Sequence, residues 1–321
     1  MLFHSWLQNL RSAFVPGRGH PRGPRRSATI RPRLEVLEDR VVPSGYQQIN
    51  LVGYQPGLAH FTDTNLNGWG MASMPDGSFC TPNAFTTGLA TFYDRSGHVL
   101  PLTITVPVEA DESAFLSAAL NQNISTVHGH PTGVVYNSTN DFVITNPDTG
   151  VSAPATLIFD TIDGTISGWN PVVDPTHAIL IRDTWAAGAP AIYTGLEIGQ
   201  DSHGDNVLYA ADFLNNQLEV INGSFTTINT ISFVDSSGKT LSEFSDDPNS
   251  SAWSVQAVGD KLYVTFADLL NPAGGGGGAV DVFDTDGNFQ YQLDANDTLE
   301  MTWARVKQRD FRKDPQKGGE E

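Results

Sequence analysis

Val207-Leu208-Tyr209-Ala210-Ala211-Asp212 is followed at short intervals by Gln217-Leu218-Glu219-Val220-Ile221 and by Thr230-Ile231-Ser232-Phe233. The first stretch is apolar without a break until its closing acid. That pattern suits a strand covered on both faces. The third stretch alternates polar and apolar residues, which suits a strand with one face in water. Between them stand short segments marked by Asn215-Asn216 and Asn222-Gly223, residues that favour turns, so the three read as successive antiparallel strands.

The same grammar recurs on both sides. One unit opens at Trp69 and holds Ser78–Thr81, Gly88–Asp94 and Leu102–Thr105. A second opens at Pro131-Thr132-Gly133 and holds Asp141–Thr145, Ala155–Asp160, Gly164–Trp169 and Ala178–Ile181. The quoted unit itself opens at Tyr193-Thr194-Gly195, and a fourth opens at Trp253 and holds Lys261–Phe266, Ala279–Asp284 and Phe289–Leu293. Anchored at Trp69, Thr132, Thr194 and Trp253, the repeat is close to 60 residues long, with about four short strands in each period. A β-helix has shorter repeats and a sandwich does not repeat at this length. The expected fold is therefore all-β: a β-propeller of four-stranded blades. One run, Asp111–Gln122, is compatible with an inserted helix.

Charge divides the chain into three. Of its 18 basic residues, eight lie in residues 1–44 and six in 302–321, leaving only Arg95, Arg182, Lys239 and Lys261 between. The same middle region carries 29 of the 36 acids. A body this acidic repels nucleic-acid phosphate and anionic lipid, so neither is an expected partner. No apolar run approaches the roughly 18 residues of a membrane helix, so no membrane insertion is expected. The reading is a basic N-terminal targeting segment over 1–45, a repeat domain over 46–300, and a tail over 301–321 whose composition differs from everything before it.

Residues 33–44 read Arg-Leu-Glu-Val-Leu-Glu-Asp-Arg-Val-Val-Pro-Ser. This segment resembles the L-E-x-L-E-D-R-x-x-P-S element near the N-terminus of many large surface and exported proteins of planctomycete bacteria. The resemblance implies export to the cell surface or the medium. Within the body, Gly68-Trp69-Gly70-Met71-Ala72, Pro131–Asn137, Phe159–Pro175, Tyr209–Phe213 and Lys261–Ala267 together resemble an uncharacterised family of secreted bacterial β-propeller-like proteins, distantly similar to NHL-repeat propellers. That resemblance spans about Ile49 to Leu293 and brings no established activity. It implies further repeats after the fourth, so that the four units are expected to be an incomplete, about four-blade version of a six-bladed ring.

Chemistry is sparse. Cys80 is the single cysteine, so no internal disulfide forms; it reads as a small buried apolar residue. Asp284-Thr285-Asp286-Gly287 begins like a calcium loop, but the twelfth position is Ala295, not Glu, and an Asp-Gly hairpin turn is the better reading. Asp160, Asp163 and Asp174 read as flanking a similar turn. His128 and His130, two apart, could face one way on an extended segment as a metal pair does, but no third ligand is evident and a polar loop is favoured. His203 reads as a loop tip. The Gly274–Gly278 run lacks the Lys-Ser/Thr of a phosphate loop, and no Gly-x-Ser-x-Gly elbow occurs.

Trp69, Trp169 and Trp253 are candidates for packing between blades or for a sugar-binding face. Asp212, expected at the end of an inner strand, is the leading candidate for a ligand contact. The function expected is that of an extracellular or cell-surface binding or structural module for a protein or glycan, requiring no cofactor. The alternative is a calcium-dependent propeller hydrolase of the lactonase kind.

Overall fold

The computed structural model describes residues 49–85, 87–107, 129–234, 240–241, 250–267 and 278–294. The expected N-terminal segment, the tail, the run at 111–122 and His128 lie outside the described residues.

Among the described residues every regular element is a β-strand. A short parallel pair, β1 (Val52–Gly53) with β2 (Phe61–Thr62), precedes the body. Four antiparallel sheets of four strands follow. The first is β3 (Ala72–Ser73), β4 (Phe79–Pro82), β5 (Leu89–Tyr93) and β6 (Val99–Thr105). The second begins at β7 (Pro131–Tyr136), is interrupted by a separate hairpin of β8 (Val143–Thr145) and β9 (Ser152–Pro154), and resumes with β10 (Leu157–Thr161), β11 (Thr165–Trp169) and β12 (Ile179–Asp183). The third is β13 (Tyr193–Gln200), β14 (Asn206–Asp212), β15 (Gln217–Asn222) and β16 (Thr227–Ser232). The fourth is β17 (Ser251–Val258), β18 (Lys261–Ala267), β19 (Ala279–Asp284) and β20 (Phe289–Asp294). In each sheet the strands pair in chain order, so every repeat is a meander.

The unbroken apolar run in β14 has a direct cause. Val207, Tyr209 and Ala211 pack in one cluster with Ala252, Val255, Leu262, Val264 and Phe283 of the fourth sheet. Leu208 and Ala210 pack in another with Val135, Ile158 and Ile166 of the second sheet. Successive side chains of a strand point to opposite faces, and here each face meets a different neighbouring sheet. The second sheet repeats the arrangement: Ile158 faces the third sheet, while Leu157 and Phe159 join Ala90, Phe92 and Ile104 of the first. The sheets are therefore stacked in series, first on second, second on third, third on fourth. Burial falls off within each: β14 is covered almost throughout, whereas β16 shows water all but one residue.

The first strands β7, β13 and β17 approach one another most closely. A Cβ placed on Gly133 would lie 2.6 Å from the Leu196 amide nitrogen, and one on Gly195 would lie 2.9 Å from the Ser254 Cα. One on Gly70 would lie 2.6 Å from the Thr132 carbonyl oxygen. The glycine one place after each of the first three anchors is thus where a first strand meets its neighbour with no room for a side chain. The Thr132 hydroxyl donates to the Tyr193 carbonyl at 2.8 Å across one of these junctions.

One expectation needs correction. Asp141–Thr145, read as one of the four strands of the second repeat, belongs instead to the β8–β9 hairpin, held against the third sheet by the Phe142 N–H donating to the Gly223 carbonyl at 2.8 Å. Asp212 ends β14, which lies between β13 and β15 in the third sheet.

Candidate functional site

In an antiparallel hairpin the start of the first strand lies beside the end of the second. Pro131 pairs with Thr161, Tyr193 with Asp212 and Ser251 with Ala267. The residues just outside these pairs gather at one end of the stack, and there all four sheets contribute.

Each of the first three sheets fixes that end in the same way. The N–H of Asn67 donates to Asn83 Oδ1 at 2.8 Å, that of His130 to Asp163 Oδ2 at 2.8 Å, and that of Ile192 to Asp212 Oδ1 at 3.2 Å. Every donor stands two residues before its repeat anchor, and every acceptor follows or ends the second strand. In the fourth sheet the Ala252 N–H donates to Asn216 Oδ1, a residue of the third repeat, at 2.9 Å.

Aromatic rings line this end. Phe85 meets Trp69 at 5.7 Å between centroids, Trp69 meets Trp253 at 5.2 Å, and Trp253 meets Phe213 edge-on at 5.9 Å. Trp69, Phe85 and Phe213 are half-buried and pack against the buried Ile162 and Ile192. Trp253 is buried. Rings from the first, third and fourth sheets thus form one continuous surface, and the first and fourth sheets meet through Trp69 and Trp253.

His130 adjoins it from the second sheet, its ring 5.5 Å from that of Phe85. It is not in a solvated loop, as its sequence context suggests, but is 1% exposed. Its Nδ1 lies 2.8 Å from Asp163 Oδ1. That contact occupies Nδ1 and leaves Nε2 as the ring's second polar atom. Nε2 is buried with no hydrogen-bond partner among the described residues. Asp160 and Asp163, read as ordinary turn residues, are buried as well. Asp160 Oδ1 accepts the Gly133 N–H and lies 2.9 Å from the Thr132 hydroxyl oxygen, and burial pushes its carboxyl up to about 6.

Asp212 is saturated. Besides the Ile192 N–H, its oxygens accept from the Asn215 side chain at 2.6 Å and the Gln217 side chain at 3.0 Å. Burial raises its pKa, opposed by the bonds from Asn215 and Ile192. It braces the site's backbone and offers no vacant oxygen to a ligand.

The remaining candidates lie apart. Trp169 is buried beside Phe92, at 6.2 Å, in the core between the first and second sheets. His203 is exposed in a turn closed by Asp201, and Asp174 closes another exposed turn by accepting the Thr176 and His177 N–H groups. Asp284 accepts from the N–H groups of Asp286 and Asn288 in the β19–β20 turn, with Gly287 at φ 86°. Cys80 is fully buried, and desolvation holds its thiol far above the usual range. Among the described residues no three His, Cys, Asp or Glu side chains stand together as a metal site. Sequence reasoning gave Phe85 and Phe213 no role and read Asp163 as a turn residue. A signal exists for them: aligned on the anchors, each lies at or just beyond the end of a second strand.

No family model matches the sequence. An uncharacterised protein of Acanthamoeba polyphaga mimivirus is 27% identical over 285 residues, covering 86% of this chain and 64% of its own length. A second protein of the same virus, also uncharacterised, is 24% identical over 287 residues, covering 87% of this chain and 69% of its own. The chain thus spans about two thirds of the length of these relatives. Among solved structures, hydrazine synthase of Kuenenia stuttgartiensis superposes with a TM-score of 0.41 at 16% identity, over 75% of this chain and 52% of that one. A GH43 β-1,3-galactosidase superposes with a TM-score of 0.40 at 13% identity, over 72% and 46%. At these scores neither carries an activity over.

Proposed function

We propose that the chain is an exported binding module of the β-propeller kind, whose four sheets are blades and whose ligand is a neutral saccharide, free or on a surface glycan. The observation that carries the reading is the convergence of Trp69, Phe85, Phe213 and Trp253 from three sheets at one end of the stack, with three of the rings half-buried. Flat aromatic faces take the C–H faces of sugar rings, and an amphipathic ring such as Trp serves both the apolar and the wet side of such a contact. The acidic body argues for a ligand without negative charge, since the chain carries −18 overall with its cations gathered at the two ends.

The serial stacking, with the first strand of every repeat innermost, supports the propeller architecture. The six-blade ring of the sequence expectation needs two sheets more than the four described. Export rests on the resemblance of residues 33–44 to a delivery element. A reporter fused behind residues 1–45 should leave the cell in a planctomycete host; full retention of the reporter contradicts delivery by this segment. The calcium-dependent hydrolase reading gains no carrying observation at this site.

Titration of the full chain with cello-, xylo- and laminari-hexaose, followed by tryptophan fluorescence, tests the saccharide reading. One of the three should perturb the emission saturably, and Trp69→Ala should weaken that binding about tenfold or more. Absence of binding to all three, or equal binding by Trp69→Ala, overturns it.

A further inference from the structure

We infer that His130 Nε2 is the concealed polar contact of the aromatic site, uncovered when Phe85 turns aside, where it makes a hydrogen bond with a ligand hydroxyl. The inference deepens the saccharide reading and rests on it.

Four observations carry it. First, Nε2 is buried and lacks a partner among the described residues, a condition that costs stability in a folded protein. Second, the imidazole has no freedom to relieve that cost by turning. Asp163 holds Nδ1 at 2.8 Å and the backbone N–H at 2.8 Å. The His130 carbonyl accepts the Ile162 N–H at 3.1 Å. The preceding Gly129 is packed so tightly that a Cβ there would lie 2.7 Å from the Pro107 carbonyl oxygen.

Third, the neighbour that can move is Phe85. Its ring lies against the imidazole and is half-buried. Its backbone sits at φ 60°, a left-handed conformation for a residue that is not glycine. Such a residue is strained and is found where surroundings or function demand it. Fourth, Phe85 is also the ring next to Trp69, so its departure would open the imidazole onto the same aromatic surface. Turning that ring aside exposes the orphaned nitrogen. A hydroxyl, able both to donate and to accept, then supplies the missing partner, and a polyol seated on Trp69 has hydroxyls at its rim. An anion is a poor candidate beside the buried Asp163.

Diethyl pyrocarbonate, which acylates unprotonated imidazole nitrogen, provides a test that does not depend on the ligand. The full chain and its Phe85→Ala variant are treated and mapped by peptide mass. His98, His177 and His203, whose side chains are 59%, 62% and 80% exposed, report a common rate in both proteins. His130 should react far more slowly than these in the wild type and at least about tenfold faster in Phe85→Ala. Equal slow reaction in the two proteins overturns the concealment by Phe85.

In parallel, His130→Asn is titrated with whichever hexaose binds the wild type. Asparagine keeps a donor near Asp163 and has nothing at the Nε2 position. A loss of about tenfold in affinity, the worth of one hydrogen bond, is expected; unchanged affinity overturns the role of Nε2. If no hexaose binds the wild type, the saccharide reading falls and this role with it, while the acylation contrast still decides whether Phe85 covers His130.

Discussion

Asp163 binds His130 with both of its oxygens, one on the backbone N–H and one on imidazole Nδ1, each at 2.8 Å. The first of these bonds has counterparts at Asn83–Asn67 and Asp212–Ile192. It belongs to the frame of the repeat. The second is made by the imidazole; at Ile192, the equivalent position beside Asp212, the side chain has no donor. Asp163→Ala leaves two buried donors without an acceptor and should cost about 3 kcal/mol, at the rate of about 1–3 kcal/mol for each orphaned group. Asp212→Ala should cost a similar amount. Urea unfolding measures both; a loss below about 0.5 kcal/mol for either refutes the brace.

The close approach of the first strands makes a second prediction. Gly133 is not at positive φ, so space alone fixes its identity: a Cβ there would lie 2.6 Å from both Asp160 Oδ1 and the Leu196 amide nitrogen. Gly133→Ala therefore has to push two sheets apart and should cost about 2–3 kcal/mol, the upper part of the range for overpacking. Gly150 is the useful control. It sits at φ 71° with nothing within 4 Å of its Cβ position, so Gly150→Ala should carry only the conformational cost of about 1 kcal/mol. If denaturant melts rank Gly133→Ala as no worse than Gly150→Ala, the first strands do not meet at this glycine.

Asp160 should make stability depend on pH. Burial raises its folded pKa to about 6, above the ordinary 3.8 that it recovers on unfolding. Between those values the folded chain holds a proton that the unfolded chain releases. The stabilisation is therefore complete below about pH 4, declines as pH rises through 6, and is gone above it. A gap of about two in pKa is worth about 3 kcal/mol. Asp160→Asn does not titrate, so its stability relative to wild type should improve by about that amount between pH 4 and pH 7.5. Unfolding curves for the two proteins at pH 4, 5.5 and 7.5 decide this; a difference independent of pH means that Asp160 is not held in an apolar setting.

The strands were legible in the sequence because burial on two faces leaves an unbroken apolar run, as in Val207–Ala211, and burial on one leaves alternation, as in Thr230–Phe233. The repeat was legible because Trp69, Thr132, Thr194 and Trp253 share one place in the packing. Asp141–Thr145 was misplaced because an inserted hairpin alternates as a sheet strand does; only its partner, Ser152–Pro154, tells them apart. The site was less legible. Phe85 and Phe213 lie in turns, where no periodicity marks a residue as facing inward. His130 is tied to Asp163, 33 residues away, and nothing local to His128-Gly129-His130 reveals that the second imidazole is buried. Trp169 has the same residue type as Trp69, yet β11 carries it into the core between sheets.

The serial stacking of sheets is the claim from which the shared end, its aromatic surface and the concealed imidazole all follow. Nuclear Overhauser contacts from two adjacent residues of β14 test it most directly. Leu208 should show side-chain contacts to the second sheet, to Val135, Ile158 and Ile166, and none to the fourth. Tyr209 should show contacts to the fourth sheet, to Leu262, Val264 and Phe283, and none to the second. If both residues instead report one sheet on one side and water on the other, the chain is a two-layer sandwich and the stack does not exist.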